Sequence, residues 1–234
     1  MKFFVSLLLT IFIACPAFAG QALVLAMGED DTTAATGILA ILKTAYSRIG
    51  IEVKGKVLPA NRALVDSNTG YIDGELCRIA DIESEHPNLI RIPVTIMTVD
   101  IMAYTIKNSF PIKGWKSLEE RRIGIKAGLR YAEIRTQGMP NVLRTTNHDT
   151  LFKLLAANRL DVVIATRSIH PAQSEKAYVK KFYAHEPPLA KLELYHYLHI
   201  KHAELVPLIT EVLSRMHESG EMDKIRNSAM QTKE

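Results

Sequence analysis

Leu23-Val24-Leu25-Ala26-Met27-Gly28, then Ile38, Leu42, Ala45 and Ile49, then Ile51-Glu52-Val53-Lys54-Gly55-Lys56-Val57-Leu58, is the stretch that decides the fold. The first run is continuously apolar and stops at glycine, the pattern of a strand buried on both faces. The next four residues recur at spacings of four, three and four, which is one stripe of a helix. Gly50 supplies its C-cap. Ile51 to Leu58 reads as a second strand with Ile51, Val53 and Val57 on one face, stopped by Pro59. Asn61 is placed to cap a short helix running to Asn68, closed by Gly70. Strand, helix, strand, helix implies parallel strands joined by crossover helices.

Outward from this stretch the alternation continues. Asp100 to Lys107 and Arg122 to Lys126 read as strands, the second followed by Gly128 and a helix from about Tyr131. Val142 to Thr145 is a strand. Asn147 caps a helix whose stripe is Leu151, Leu154 and Leu155. Asp161 to Ala165 is a buried parallel strand, and a further helix covers about Ala172 to Val179. Leu192 to Ile200 alternates as a strand. Leu205, Ile209, Val212 and Met216 then define an amphipathic helix with Pro207 in its first turn, and a last short helix carries Met222 and Ile225. The reading is α/β, with two similar lobes.

The N-terminus carries a separate message. Lys2, the apolar run Phe3 to Ala14, the break at Pro16 and the small-x-small pattern Ala17-Phe18-Ala19 form a secretory signal peptide over residues 1–19, cleaved before Gly20. The apolar run is too short for a membrane span. Ile13-Ala14-Cys15 has the outline of a lipoprotein box, but Phe12 stands where such boxes carry Leu. Loss of the leader removes Cys15 and leaves Cys77 alone, so no intramolecular disulfide forms. The expected location is the periplasm. A net charge of +4 with lysines and arginines scattered among acids is a solvated surface, not the concentrated basic face of a nucleic-acid binder.

The catalytic inventory is thin: no G-x-S-x-G elbow, no P-loop and no C-x-x-C. His196 and His199 point to opposite faces of a strand and do not share a metal ion, and neither metal nor cofactor is expected. What remains is polar residues at strand ends, where ligands collect in parallel α/β sheets. Glu29 and Asp30 follow the first strand, Arg62 opens the helix after the second, and Thr166 and Arg167 follow the Asp161 strand. Gly128-Leu129-Arg130-Tyr131 opens a helix whose free N–H groups favour an anion, with Arg130 adding a bidentate contact. Arg78 is a further arginine of interest, beside Glu75 and Asp81 as surface salt-bridge partners.

Four segments, taken in order, resemble one family. Gly70-Tyr71-Ile72-Asp73-Gly74 is similar to a "G-x-x-D-g" turn. Trp115-Lys116-Ser117-Leu118-Glu119 with Ile123-Gly124-Ile125-Lys126-Ala127-Gly128 is similar to "k-S-L-x-d-L…v-g-v-x-x-G". Asn158-Arg159-Leu160-Asp161-Val162-Val163 is similar to "G-r-x-D-a". Met216 to Ile225 is similar to a closing "m-x-x-x-G-x-x-x-x-i" helix pair. These belong to the extracellular solute-binding proteins of family 3, the type II periplasmic binding proteins of amino-acid-type ABC importers.

The resemblance implies two mainly parallel sheets flanked by helices in two hinged lobes. Lobe 1 spans residues 20–98 plus 188–234 and lobe 2 residues 99–187, with crossings near Met97–Val99 and Glu186–Lys191. It implies a monomer with no catalytic residues that closes on a small polar solute, anionic or amino-acid-like. Its partner is the permease of an ABC importer or a membrane receptor. A dehydratase-like enzyme on the same fold is the alternative. In the family an arginine holds the solute carboxylate, a role that falls to Arg78 outside the usual T-x-x-R context. Leu129 and Arg130 replace a small hydroxyl residue, and Thr166 replaces the aspartate that holds an α-ammonium. The expected binding residues are thus Glu29, Asp30, Arg62, Arg78, Gly128, Arg130, Tyr131 and Thr166.

Overall fold

The structure, a computed structural model, describes residues 22–28, 32–106, 111–169 and 181–231. The expected leader, Glu29, Asp30 and the expected helix at Ala172–Val179 lie outside these residues. The elements are β1 (Leu23–Gly28), α1 (Thr32–Ser47), β2 (Val53–Leu58), α2 (Ala60–Asn68), β3 (Gly74–Ile79), β4 (Leu89–Thr105), β5 (Ile123–Lys126), α3 (Arg130–Arg135), β6 (Val142–Thr145), α4 (His148–Ala156), β7 (Val162–Thr166), β8 (Tyr183–Ala184), β9 (Ala190–His199), α5 (Leu205–Glu218) and α6 (Glu221–Gln231). Among the described residues no helix is long and apolar enough to cross a membrane.

The strands run β2-β1-β3-β9-β4-β7-β5-β6, with β8 paired to β4. Two parallel sets, β2-β1-β3 and β7-β5-β6, match the expected crossover units. They are joined rather than separate. β4 and β9 pair antiparallel from Leu89↔His199 to Ile101↔Ala190, so one hydrogen-bonded path carries both sets. β4 is therefore a 17-residue strand that begins at Leu89, not at Asp100 as its second half alone suggests. Its register shifts between Arg91 and Thr95 and again between Thr95 and Met97. Such bulges bend a strand and increase its local twist.

Side-chain alternation explains the apolar runs. Leu23, Leu25 and Met27 of β1 pack with Ile38, Ile41 and Leu42 of α1 and with Ile209 and Leu213 of α5. Val24 and Ala26 face the other way, onto Ala63 of α2 and Ile72. Along β4, Ile101 and Ala103 join Ile123, Ile125 and Ala132. Met102 and Tyr104 join Leu151, Phe152 and Leu155 of α4 on the opposite face. A strand covered on both faces carries no polar position, and each large aliphatic side chain buried this way contributes roughly 1.5–3 kcal/mol. β2 departs from this. It starts at Val53, and Val57 is exposed because β2 is the edge of the sheet. Pro59, not Asn61, precedes α2, and no side chain caps it. Asn147 does cap α4, its Oδ1 accepting from the Thr150 N–H at 2.8 Å.

Two aspartates tie turns to strand starts. Asp73 Oδ2 accepts from the Val24 N–H at 2.7 Å while Oδ1 takes Lys201 at 2.7 Å and His202 at 2.8 Å. In the second half, Asp161 Oδ2 accepts from the Arg122 N–H at 2.9 Å. Both hold the entry to a central parallel strand. Burial alone would raise the Asp73 pKa, but its hydrogen bonds from Lys201, Val24 and His202 outweigh burial and hold it below the ordinary carboxylate range.

At Gly74 a Cβ would sit 2.1 Å from the Tyr197 carbonyl oxygen, a backbone atom of the neighbouring strand that has nowhere to go. Gly74→Ala is expected to cost about 3 kcal/mol. Urea unfolding should show a lower midpoint at an unchanged slope. A midpoint equal to that of the natural chain would mean β3 and β9 are not this close.

Candidate functional site

A cavity of about 920 Å³ lies where the two parallel sets face each other across the β4–β9 ribbon. One wall comes from β1, α1, β3 and the segment after it: Met27, Ile38, Glu75, Arg78, Ile79 and Glu85. The other comes from β5, the loop behind it and the end of β7: Lys126, Gly128, Leu129, Arg130, Tyr131 and Thr166. Met97, Val99, Leu192 and Leu194 of the ribbon close the back. The site therefore sits at the carboxyl ends of β1, β5 and β7, where the alternating topology puts ligands.

Arg78 is the centre of its polar floor. Its Nε donates to Glu75 Oε2 at 2.8 Å and its Nη2 to the Ala60 carbonyl at 3.1 Å. The expected surface salt bridge is in fact buried, the side chains being 16% and 1% exposed. Two donors are thus spent, and Nη1 carries no hydrogen bond among the described residues. Glu75 Oε1 accepts from the Ser67 hydroxyl at 2.9 Å. Burial pushes the Glu75 carboxyl up, against the pull of Arg78 and Ser67. A charge this deep is tolerated only with a partner in good geometry.

Beneath the floor runs a second set of bonds. His196 is fully buried, and its Nδ1 lies 2.8 Å from the Glu75 carbonyl. A carbonyl only accepts, so Nδ1 carries the proton and Nε2 accepts from the Tyr46 hydroxyl at 2.8 Å. Tyr46 is itself fully buried in α1. α1, β9 and β3 are thereby locked together under Arg78.

Of the other expected residues, Gly128, Arg130, Tyr131 and Thr166 all reach the cavity. The Gly128 N–H is occupied, donating to Glu133 Oε1 at 2.9 Å. The six-residue helix α3 is thus closed at its start by its own side chain and not open to an anion as expected. Arg130 forms an ion pair with Glu85 of the opposite wall. A Cβ on Gly128 would approach Ala60 Cβ to 2.7 Å, so the walls touch at that point as well. Tyr131 stacks edge-on to Trp115 at 5.8 Å and takes the Arg135 guanidinium over its ring. Thr166 Oγ1 lies 3.1 Å from Ser168 Oγ. Arg62 does not line the cavity: it is two-thirds exposed and paired with Asp66 one turn on. Glu29 and Asp30 lie outside the described residues.

Sequence reasoning missed Lys126 and Glu75 as site residues. Lys126 ends β5 as a buried lysine after Ile123, Gly124 and Ile125, and a charged residue closing an apolar strand was the available signal. Glu75 was taken only as a surface partner because β3 was not recognised as a strand. Cys77 is half-buried and lines the same cavity.

No protein-family model matches the chain. An uncharacterized protein of Shewanella oneidensis is 24% identical over 191 residues, covering 79% of this chain and 72% of that one. Among solved structures, a histidine kinase sensor domain with similarity to periplasmic binding proteins superposes with a TM-score of 0.71 at 16% identity, over 89% of this chain and 95% of the other. The amino acid ABC transporter substrate-binding protein AbpA of Streptococcus pneumoniae, bound to L-arginine, gives 0.68 at 13% identity, over 90% and 94%. The fold is that of the type II periplasmic binding proteins.

His196 makes the core pH-sensitive. Burial pushes its pKa from 6.5 down to about 4, against the pull of its backbone hydrogen bonds. The unfolded chain then binds the proton that the folded chain refuses, so stability falls as pH drops from about 6.5 to about 4 and levels off below. The loss over that window is about 3 kcal/mol. NMR titration of the imidazole should find it neutral at pH 5.5, and a midpoint near 6.5 would refute the buried arrangement.

Proposed function

We propose that this protein is an exported solute-binding protein: it holds a small molecule in the cavity between its two halves and presents it to a membrane partner. The observation that carries this reading is the composition of the cavity wall. Both halves contribute to it, each half has its own hydrophobic core, and among the described residues only the β4–β9 ribbon joins the halves through the sheet. A rotation about that ribbon opens and closes the cavity without breaking either core, which is hinge motion of the usual kind. The hinge strands are Met97–Val99 and Leu192–Leu194, which lie side by side in the register. Divided at this hinge, lobe 1 is residues 20–98 plus 193–234 and lobe 2 residues 99–192, because Leu189, Ala190 and Leu192 pack with Ile101, Ile123 and Ile164. The N-terminal run Phe3–Ala14 with Ala17-Phe18-Ala19 supports export to the periplasm.

Two kinds of membrane partner fit. Likeness to an ABC transporter substrate-binding protein favours an importer permease, and likeness to a kinase sensor domain favours a signalling receptor. Solute capture is common to both readings.

A thermal-shift panel tests the reading. A solute held at a hundredfold excess over its Kd stabilises the native state by about 2.7 kcal/mol, a shift of roughly 5–10 °C for a chain of this size. Glu85→Ala removes the exposed ion pair to Arg130 across the cavity mouth and should weaken that solute by no more than about fivefold, since such pairs contribute about 0.2–1 kcal/mol. A bound solute that is converted on incubation would make the protein an enzyme instead. A panel without any response, together with no small molecule carried through native purification, would overturn solute binding.

A further inference from the structure

The hinge ribbon turns an apolar face to the cavity. From Met97 to Ile101 the β4–β9 pairing runs without a shift: Met97 stands opposite Leu194, Thr98 opposite Glu193 and Val99 opposite Leu192. Directly opposed residues share a face of the sheet, and so do residues two apart on one strand. Met97, Val99, Leu192 and Leu194 therefore form one patch, and all four line the cavity. Thr98 and Glu193 take the other face and are exposed. The ribbon is thus apolar in front and polar behind.

The patch lies on the seam between the halves. Met97 and Leu194 pack with the core of lobe 1, Leu192 packs with the core of lobe 2, and Val99 stands between them. All four side chains are half-buried, whereas Ile101, two residues beyond Val99, is fully buried. The apolar face thus surfaces where it borders the cavity, and a contiguous apolar patch that borders open space marks a contact yet to be made. The ribbon is the back of the cavity, and the mouth in front of it is crossed by the Glu85–Arg130 pair and by the approach of Gly128 to Ala60. A small molecule fits that passage better than a helix or strand of another chain. A polar group set against these four side chains would give up water for no hydrogen bond from them, which is costly. A hydrocarbon gains there, by about fourfold in affinity for each methylene fully buried.

We infer that the ligand carries a hydrocarbon body and that the hinge ribbon is its seat, one end on the Met97–Leu194 pair and the other on the Val99–Leu192 pair. Because the two pairs belong to different lobes, the body that spans them ties the lobes together. This rests on the solute-binding reading, specifies its ligand class and holds for any head group.

Homologous series test it by calorimetry on the protein purified as Gly20–Glu234. Three series share straight chains of four to eight carbons and differ in the head: n-alkanoates, 2-amino acids from 2-aminobutyrate to 2-aminooctanoate, and n-alkylamines. In whichever series binds, affinity should rise about threefold or more with each added methylene. A hydroxyl at the far end of the chain should weaken the longest member about tenfold. Val99→Thr keeps the shape of the side chain and puts a hydroxyl into the patch, so it should weaken the longest member about fivefold or more and the shortest by less than about twofold. The same exchange at Val57, 53% exposed on the edge strand β2, should change neither. An affinity that is flat or falls with chain length in the natural chain overturns the inference and leaves solute binding intact. So does a tighter fit of the hydroxylated chains. Silence from all three series also overturns it. Solute binding then survives if native mass spectrometry of the purified protein finds a carried molecule without a hydrocarbon body, and falls if it finds none.

Discussion

A carboxylate buried beneath a solvent-reachable cavity is the constraint around which the first half of this protein is arranged. Glu75 cannot be 1% exposed and charged without partners, so the chain supplies them from separate places. Ser67 comes from the end of α2 and Arg78 from three residues further along β3. The peptide carbonyl of the same residue is held by His196 of β9, which in turn positions Tyr46 of α1. One residue thus fixes two helices and two strands relative to each other. The outcome for the site is a guanidinium that does not wander: Arg78 is bonded on two atoms before any ligand arrives. Pre-set donors lose little freedom on binding, and for this reason a single well-held arginine is worth more than several mobile ones.

Much of the fold was legible because period-2 burial leaves a plain mark. β1, β5 and β7 are strands covered on both faces, and their runs Leu23–Met27, Ile123–Ile125 and Val162–Ala165 admit almost no polar residue. β3 hid for the opposite reason. Its sequence Gly74-Glu75-Leu76-Cys77-Arg78-Ile79 carries two charges, which argue for a surface turn unless the two charges are known to neutralise each other inside. β4 was half-read because Pro93 and the charged Arg91 interrupt its first section. Bulges at these points let a strand continue past residues that a regular ladder would reject. Edge position explains β2, where exposure of Val57 follows from having no neighbour beyond it.

The aspartates of the two familiar-looking turns show what short motifs record. Asp73 and Asp161 accept the backbone N–H that starts the central strand of each half, Val24 in one and Arg122 in the other. Neither lines the cavity. The aspartates of these two turns are therefore fold signals, whereas the motif that ends in Lys126-Ala127-Gly128 does reach the cavity. Spacing could not rank the three arginines either. Arg62, Arg78 and Arg130 all stand near strand ends, and only the location of Asp66, Glu75 and Glu85 decides which of them keeps donors for a ligand.

The two ion pairs at the cavity have opposite characters, and a reversible binder needs that difference. Glu75–Arg78 is buried, hydrogen-bonded on both sides and internal to one half, so it persists whether the cavity is open or shut. Glu85–Arg130 joins the two walls and is 56% and 43% exposed, so water competes for both partners and the pair adds little to closure. A strong ion pair at the mouth would hold the empty protein shut and slow the exchange of solute. With a weak pair there, the balance between open and closed is left to whatever fills the space between Arg78 and the apolar wall. Burying that wall contributes about 25 cal/mol for each Å² removed from water, which only an occupant with an apolar body can supply.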